Sequence, residues 1–145
     1  MPHLRAATKG TKDVKDQLLD RRKILIVDDD ADSREILAQV LQTQGYQAYQ
    51  AENGQQALDF IKEVSPSPGL ILLDLDMPVM NGKQFLSHLP HLPGAKPAVI
   101  VITGQDPRDV PGAAAVLRKP VSLSQLLGLI QGLMLLSEKY DGEGN

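Results

Sequence analysis

The stretch LILLDLDMPVMNG, Leu70 to Gly82, joins a continuous aliphatic run to two carboxylates and a turn. Its first four residues, Leu70 to Leu73, are typical of a strand that is covered on both faces of a sheet. Asp74 and Asp76 follow where such a strand should emerge from the core. Carboxylates held close together there resist ionisation unless a positive charge compensates them. The stretch therefore predicts a buried strand that delivers acidic groups to one edge of a sheet.

Strands alternate with helical segments over most of the chain from residue 23 onward. Five runs predict strands, at 23–27, 47–51, 70–73, 98–103 and 114–117. Apolar residues at helical spacing predict helices after the first three strands and a last helix over 122–136. This alternation is typical of a parallel sheet with helices on both faces. Because crossovers are right-handed, we predict an α/β fold with a doubly wound five-stranded sheet of order 2-1-3-4-5.

Polar side chains follow the predicted strands. In an open parallel sheet, ligands bind in a crevice at the carboxyl ends of the strands. The residues at those ends are Asp28, Asp29, Asp30, Asp74, Thr103 and Lys119. Carboxylates without histidine or cysteine suit Mg²⁺, with Mn²⁺ as the alternative. Such a cation, together with an ammonium, a hydroxyl and a further carboxylate, forms a binding site for a phosphoryl group. The carboxylate can then accept that group and become an acyl phosphate.

Composition and charge exclude several classes of protein. The 145 residues, 42% hydrophobic and 23% charged, suit one globular domain. The sequence has no cysteine and no apolar run of the ~20 residues that span a membrane. The net charge is −3, and residues 1–23 hold seven Lys/Arg against three Asp, so the remainder carries −3 − 4 = −7. An acidic body argues against nucleic-acid binding, and we expect a cytoplasmic protein that contacts neither nucleic acid nor membrane.

Four segments resemble the signature segments of response-regulator receiver domains, in that family's order. They are ILIVDDD at 24–30, LLDLDMPVMNG at 72–82, VIVITG at 99–104 and RKP at 118–120. The resemblance covers 23–137, which leaves a flexible or partly helical extension over 1–22 and a tail over 138–145. It implies a flavodoxin-like fold and a phosphoryl transfer, as in two-component phosphorelays, from a sensor histidine kinase or a histidine phosphotransfer protein. We expect either a stand-alone regulator or the receiver of a hybrid kinase.

The resemblance also implies the residues of the metal and acceptor site. Asp74 would be the phosphoacceptor and a ligand of the ion. Asp29 would bind Mg²⁺ directly and Asp28 through water. The main-chain carbonyl of Asp76 would be a further ligand.

The same resemblance implies how the phosphoryl group would be held. Thr103 would donate a hydrogen bond to a phosphoryl oxygen, and Lys119 would pair with Asp74 and then with the phosphate. Pro120 would follow a cis peptide bond that aims the lysine. Gln105, two residues after Thr103, is a candidate for positioning a hydrolytic water. Such a protein is a self-phosphorylating acceptor with slow autodephosphorylation rather than a turnover enzyme.

Two departures from the family pattern concern the output of the signal. Where the family usually has an aromatic switch residue, three positions before the lysine, this sequence has Val116. The segment GQDPRDVPGA at 104–113 contains two prolines and two glycines. Asp106 can cap one helical turn, but Pro111 prevents its extension. We therefore predict that the fourth helix of the family is shortened or absent.

Two other functions remain open at this point. DLDMPV also resembles the Asp-x-Asp motif of haloacid-dehalogenase-type phosphatases, although that motif normally follows the first strand and a cap domain has no room here. Alternatively, the chain is a receiver-like interaction module that works without phosphorylation. Stoichiometric labelling, turnover of a phosphomonoester and absence of labelling distinguish the three.

The last helix is the final element with an unusual pattern. No charged residue occurs from Val121 to Ser137, although one face of such a helix meets water. The stripe assigned to the sheet consists of Leu123, Leu126, Leu127, Ile130, Leu133 and Met134. The residues left outside it include Leu129, Leu135, Leu136, Gly128 and Gly132. We predict that this outer face packs against a second copy of the chain or a neighbouring domain.

Overall fold

The protein is described by a computed structural model that covers residues 22–64, 67–77, 79–92, 96–105 and 110–143, with side chains described as far as residue 135. Its strands are β1 Lys23–Val27, β2 Gln47–Ala51, β3 Leu70–Asp74, β4 Ala98–Thr103 and β5 Ala115–Arg118. They form one sheet of order β2-β1-β3-β4-β5 in which every pairing is parallel. The predicted α/β fold and strand order are confirmed.

Helices connect the strands and begin at residues with side chains suited to capping. They are α1 Ala31–Thr43, α2 Gly54–Glu63, α3 Gly82–His88, a 3-10 turn at Leu89–His91, and α4 Leu123–Glu143. The carboxylate of Asp30 caps α1 by accepting a hydrogen bond from the backbone of Asp32. Asn81 caps α3 and exchanges hydrogen bonds with Gln84 in a capping box. These side chains satisfy N–H groups that a helix start otherwise leaves without partners.

The sheet separates two apolar clusters, one on each face. Because successive residues of a strand point to opposite faces, the continuous aliphatic runs supply both clusters at once. On one face, Leu25, Ile71 and Val99 pack with side chains of α2 and α3. On the other face, Ile24 and Leu70 pack with side chains of α1 and α4. Burial on both faces therefore fixes the strands whose carboxyl ends carry the acidic residues.

The connection between β4 and β5 departs from the other crossovers. Its described residues, 104–105 and 110–114, contain no helix, as predicted. A turn occurs at Pro111 and Gly112, whose φ of +91° a glycine adopts without strain. Val110 packs against the same cluster as α2 and α3. Nothing in the described connection fully covers the nearby face of β5, and Val116 is 37% exposed. The helical turn predicted at Asp106 lies outside the described residues.

In the last helix, the predicted environments of two side chains were wrong. Leu126, Ile130 and Met134 are buried as predicted, but Leu123 is 42% exposed because it is the first residue of α4 and lies at the rim of the sheet. Leu129, predicted to point outward, packs against the core cluster. The reason is its position about 60° from Leu126 around the helix, at the border of the stripe.

Helix α4 also ends later than the sequence pattern indicated. It continues to Glu143, into the stretch 138–145 that we predicted as a tail, because no proline interrupts it and the first glycine after Ser137 is Gly142. Although its middle is uncharged, no helix within the described residues combines the length and hydropathy needed to cross a membrane.

Candidate functional site

The carboxyl ends of β1, β3 and β4 meet at one edge of the sheet and bring the predicted site residues together. The parallel register aligns Val27 with Leu73 and Asp74 with Ile102, so the residues that follow lie side by side. Carboxylate oxygens of Asp28, Asp29 and Asp74 all lie within 4.8 Å of one another. The sequence therefore identified the acidic cluster correctly.

Asp74 is the central carboxylate of the site. It is 5% exposed, and this burial raises its pKa from the ordinary value of 3.8 to about 6. The backbone N–H of Asp76 donates to Asp74 Oδ1 at 3.2 Å, and the Lys119 ammonium lies 3.6 Å from Oδ2. Both contacts favour the ionised form and limit the rise in pKa, whereas the nearby Asp28 carboxylate adds to it. Asp74 thus remains ionised at neutral pH while water has little access to it.

Asp28 is held by three hydrogen bonds. Its N–H donates to Ala51 O at 3.1 Å, and its Oδ1 accepts from the Asp30 N–H at 2.9 Å. Its carbonyl oxygen accepts from the guanidinium of Arg34 at 2.7 Å. Arg34 was not singled out from the sequence. Its position in the first turn of α1, shortly after Asp28, could have indicated this contact.

Asp29 and Asp30 follow on the same loop and have different roles. Asp29 is exposed, and one of its oxygens belongs to the acidic cluster. Asp30 caps α1 instead and accepts hydrogen bonds from the Asp32 N–H and the Ser33 hydroxyl. The hydrogen bond from Ser33 lowers the pKa of Asp30. Of the three consecutive aspartates, the first two therefore face the candidate site.

Asp76 contributes its backbone to the site. Its side chain is exposed and does not belong to the three-carboxylate cluster, while its N–H donates to Asp74. The predicted role of its carbonyl as a metal ligand stays a prediction. The adjacent Leu75 and Met77 are buried and anchor the loop on either side of Asp76.

Thr103 and Lys119 complete the edge of the site. Thr103 is fully buried, and its hydroxyl oxygen accepts from the Gln105 N–H at 3.1 Å. The Lys119 N–H donates to Thr103 O at 2.8 Å, and the following bond to Pro120 is cis, as predicted. A Cβ added to Gly104 would meet no described atom within 4 Å. An incoming group therefore finds space beside the threonine.

The donor set of this edge fits a hard divalent cation. Three carboxylates with oxygens within 4.8 Å of one another repel each other, and one ammonium offsets only part of their charge. Oxygen-only ligands that leave room for water are what Mg²⁺ and Mn²⁺ accept. The cluster contains no histidine, and the sequence contains no cysteine.

A groove of about 280 Å³ adjoins the site on the side of α1 and α4. Asp28 and Lys119 form its polar part. Ile36, which is mostly exposed, and Leu123 contribute apolar surface to the same groove. Apolar surface thus begins directly beside the reactive groups.

Fold and site together define a class of protein. A five-stranded parallel sheet of order 2-1-3-4-5 with an acidic crevice at its carboxyl edge is a flavodoxin-like α/β protein of the CheY-like type. The family model of the response regulator receiver domain matches residues 24–131. This chain belongs to that family, the receiver domains of two-component response regulators.

Curated relatives agree with this assignment. Sporulation initiation phosphotransferase F of Bacillus subtilis is 45% identical over 67 residues, which are 46% of this chain and 52% of the relative. The phosphate regulon transcriptional regulatory protein PhoB of Escherichia coli is 33% identical over 120 residues, which are 78% of this chain and 52% of PhoB. The chain spans about half the length of these relatives.

Solved structures share the fold. The signal receiver domain of a signal transduction histidine kinase from Syntrophus aciditrophicus is 33% identical, with a TM-score of 0.69 over 77% of this chain and 89% of that domain. Response regulator protein TrrA from Thermotoga maritima, in complex with Mg²⁺ and BeF, is 28% identical. Its TM-score is 0.65 over 77% of this chain and 97% of TrrA.

Proposed function

We propose that Asp74 accepts a phosphoryl group from a phosphohistidine of a sensor histidine kinase or a histidine phosphotransfer protein. The observation that carries the proposal is the position of Asp74: a buried carboxylate, 3.6 Å from Lys119 and within an acidic cluster with Asp28 and Asp29. The pKa of about 6 leaves this carboxylate ionised and nucleophilic at neutral pH.

The transfer exchanges one bond to phosphorus for another. A carboxylate oxygen of Asp74 forms the new O–P bond as the N–P bond of the donor breaks, and the electron pair of that bond returns to the imidazole nitrogen. Lys119, released from its pairing with Asp74, balances the charge of the bound phosphoryl group. The Thr103 hydroxyl, at the end of β4, donates to a phosphoryl oxygen.

Mg²⁺ would be held by the carboxylates of Asp28, Asp29 and Asp74, with the Asp76 carbonyl as a further ligand. When bound, the ion supplies charge stabilisation for the phosphoryl oxygens and reduces the repulsion among the carboxylates. The binding of Mg²⁺ and BeF by the relative TrrA supports this proposal. The hydrogen bonds that hold Asp28 keep its carboxylate at the cluster.

The groove beside the site suits a protein donor. Its apolar residues Ile36 and Leu123 are exposed next to Asp28 and Lys119. A helix of the donor that carries the phosphohistidine would bury these side chains while it presents the phosphoryl group to Asp74. Burial of the apolar part of the groove would favour docking of such a partner at this edge.

Labelling by acetyl phosphate with Mg²⁺ tests the proposal. Intact-mass spectra of the wild type should show one added phosphate, labile to base. Asp74→Asn keeps the shape of the side chain but removes the nucleophile, and should show none. Asp76→Asn is the matched control and should retain the label. An Mg²⁺-dependent adduct that persists on Asp74→Asn would overturn the assignment.

The same experiment distinguishes the proposed function from the two alternatives, a phosphatase and an interaction module that works without phosphorylation. Turnover of a generic phosphomonoester would support a phosphatase, although membership of the receiver family and the position of the motif after β3 argue against it. A wild type that takes up no phosphate from any donor would favour an interaction module. The complete set of acceptor-site residues, with Lys119 beside Asp74, favours the phosphorylated receiver.

A further inference from the structure

The loop between β3 and α3 holds Val79 in a strained conformation. Its φ of +66° lies in the left-handed region, and it is the only non-glycine residue with a positive φ in the part of the chain that the structure describes. Branching at Cβ makes valine one of the least suitable residues for this region. Its side chain is also 80% exposed, so burial does not offset the strain.

Hydrogen bonds on both sides of Val79 hold the loop in place. The Gly82 N–H donates to Leu75 O at 2.8 Å, which closes the loop at its base. The Gly54 N–H, at the start of α2, donates to Met80 O at 3.2 Å. The strained residue therefore lies between two anchored points.

Close backbone packing reinforces these two anchors. A Cβ at Gly82 would lie 2.7 Å from Leu75 Cα and 2.8 Å from the Asp74 carbonyl oxygen. A Cβ at Gly54 would lie 2.8 Å from Met80 Cγ and 2.9 Å from Met80 O. Both glycines allow an approach that other residues would prevent. Strain that persists in such a setting is imposed by its surroundings and is often found at functional sites.

Val79 lies within reach of the proposed acceptor. Gly82 packs against Asp74, since a Cβ there would lie 2.8 Å from the Asp74 carbonyl oxygen, and the three steps along the chain from Gly82 back to Val79 span at most ~11 Å. A protein that brings a phosphohistidine against Asp74 covers about 800 Å² of this surface, a patch with a radius of roughly 16 Å. We therefore expect such a donor to cover Val79, whereas a small phosphodonor reaches Asp74 without touching it.

We propose that Val79 is a preformed apolar contact for the protein phosphodonor and that it discriminates between donors. The loop presents the isopropyl group in a fixed position, so little conformational freedom is lost when a matching apolar recess on the donor receives it. A donor with a polar or filled surface at that point would be disfavoured. This inference depends on the proposed function of Asp74.

The test compares a protein donor with a small donor. The protein donor is chosen by screening the autophosphorylated histidine kinases and phosphotransfer proteins of the source organism against the wild type. Val79→Gly and Val79→Asn suit a positive φ, so both variants should fold and should melt a few degrees higher than the wild type. Acetyl phosphate should label them at the wild-type rate, within twofold. Transfer from the protein donor at subsaturating concentration should slow at least fivefold, through a higher KM.

Leu135→Asn is the matched control because Leu135 is also an exposed hydrophobic residue. It lies twelve residues along α4 from Leu123, about 18 Å from the carboxyl edge. This variant should leave both rates unchanged. Equal transfer from the protein donor to wild type and Val79→Gly would overturn the inference, and so would slower labelling of Val79→Gly by both donors. A wild type that accepts phosphate from neither donor would instead overturn the proposed function.

Discussion

The ammonium nitrogen of Lys119 lies 3.6 Å from Oδ2 of Asp74, although β4 separates β3, which ends at Asp74, from β5, which Lys119 directly follows. The contact exists because β3 and β5 end at the same edge of the sheet, and because the Lys119 N–H is bound to Thr103 O at the end of β4. The pair couples the proposed acceptor to the last strand of the sheet.

Lys119→Ala should uncouple phosphorylation from the structural response. We expect Mg²⁺ binding to survive, because the three carboxylates remain, while the pKa of Asp74 rises further without its cation. Phosphorylation-dependent chemical shifts in β4 and β5 should be largely lost. Arg118→Ala removes the same charge one residue away and should behave like the wild type. Unchanged phospho-dependent shifts in Lys119→Ala would contradict the prediction.

Asp74→Asn should stabilise the metal-free protein at high pH. Between pH 3.8 and about 6, Asp74 keeps its proton in the folded state but loses it in the unfolded state, so wild-type stability falls as pH rises. The full difference corresponds to at most about 3 kcal/mol. Melting temperatures without Mg²⁺ should favour the variant at pH 8 and converge with those of the wild type near pH 3.5. A difference independent of pH would show that Asp74 does not ionise with a raised pKa.

Mg²⁺ affinity should depend unequally on the two aspartates that follow β1. Asp29→Ala should weaken binding at least about tenfold, because a hard cation with few protein ligands depends strongly on each carboxylate. Asp28→Ala should have a smaller effect, because we expect its contact with the ion to pass through water. Asp32→Ala, outside the cluster, is the control. Titration of backbone amide shifts with Mg²⁺ measures all three, and equal, negligible effects of the first two would exclude this arrangement.

Gln105→Leu should change the lifetime of the acyl phosphate. The Gln105 N–H donates to the Thr103 hydroxyl oxygen, which places this residue at the rim of the site. Loss of its amide removes a group that orients a hydrolytic water, so we expect a half-life that is several-fold longer, with labelling intact. Gln125→Leu, on the exposed side of α4, controls for the change in side-chain type. A half-life within error of the wild type would count against a role for Gln105.

The outer face of α4 should mediate association with a second copy or a neighbouring domain. Its exposed, uncharged residues are Ser124, Gln125, Gly128, Gln131, Gly132 and Leu135. Leu129 packs against the core, so the appropriate variant is Leu135→Glu, at a site that is 64% exposed. It should weaken self-association in sedimentation experiments, or the affinity for an adjoining domain, while Asp74 labelling persists. Gln131→Glu adds the same charge without removing a leucine. Identical monomeric behaviour, with no partner affected, would identify this face as ordinary surface.

The sequence predicted the parts of the site that depend on strand ends. Aliphatic runs indicate buried parallel strands, and parallel strands bring the residues that follow them, such as Asp29, Asp74 and Lys119, to one edge. Proline and glycine in the β4–β5 connection likewise indicated that a helix there would be short. These inferences need only local pattern and the handedness of crossovers.

The remaining features depend on three-dimensional packing that no local pattern encodes. The contact between Arg34 and the Asp28 carbonyl requires the angle at which α1 leaves the sheet. The φ of Val79 results from hydrogen bonds at either side of its loop, one of them to a distant helix. Leu123 was expected to be buried but is exposed, because it lies at the rim of the sheet. Leu129 was expected to point outward but packs against the core, because it lies at the border of the apolar stripe.

The strand that precedes Lys119 has consequences for local unfolding. β5 has four residues, pairs with one neighbour, and leaves Val116 partly uncovered beside a connection without a described helix. An edge strand with so few buried contacts opens at a lower free energy than the central β3, whose five residues are all buried. Each such opening would withdraw the ammonium from Asp74 while the acidic cluster stays assembled. The site therefore places its cation directly after an edge strand and its anions at the ends of the interior strands β1 and β3, so we expect amide protons of β5 to exchange sooner than those of β3.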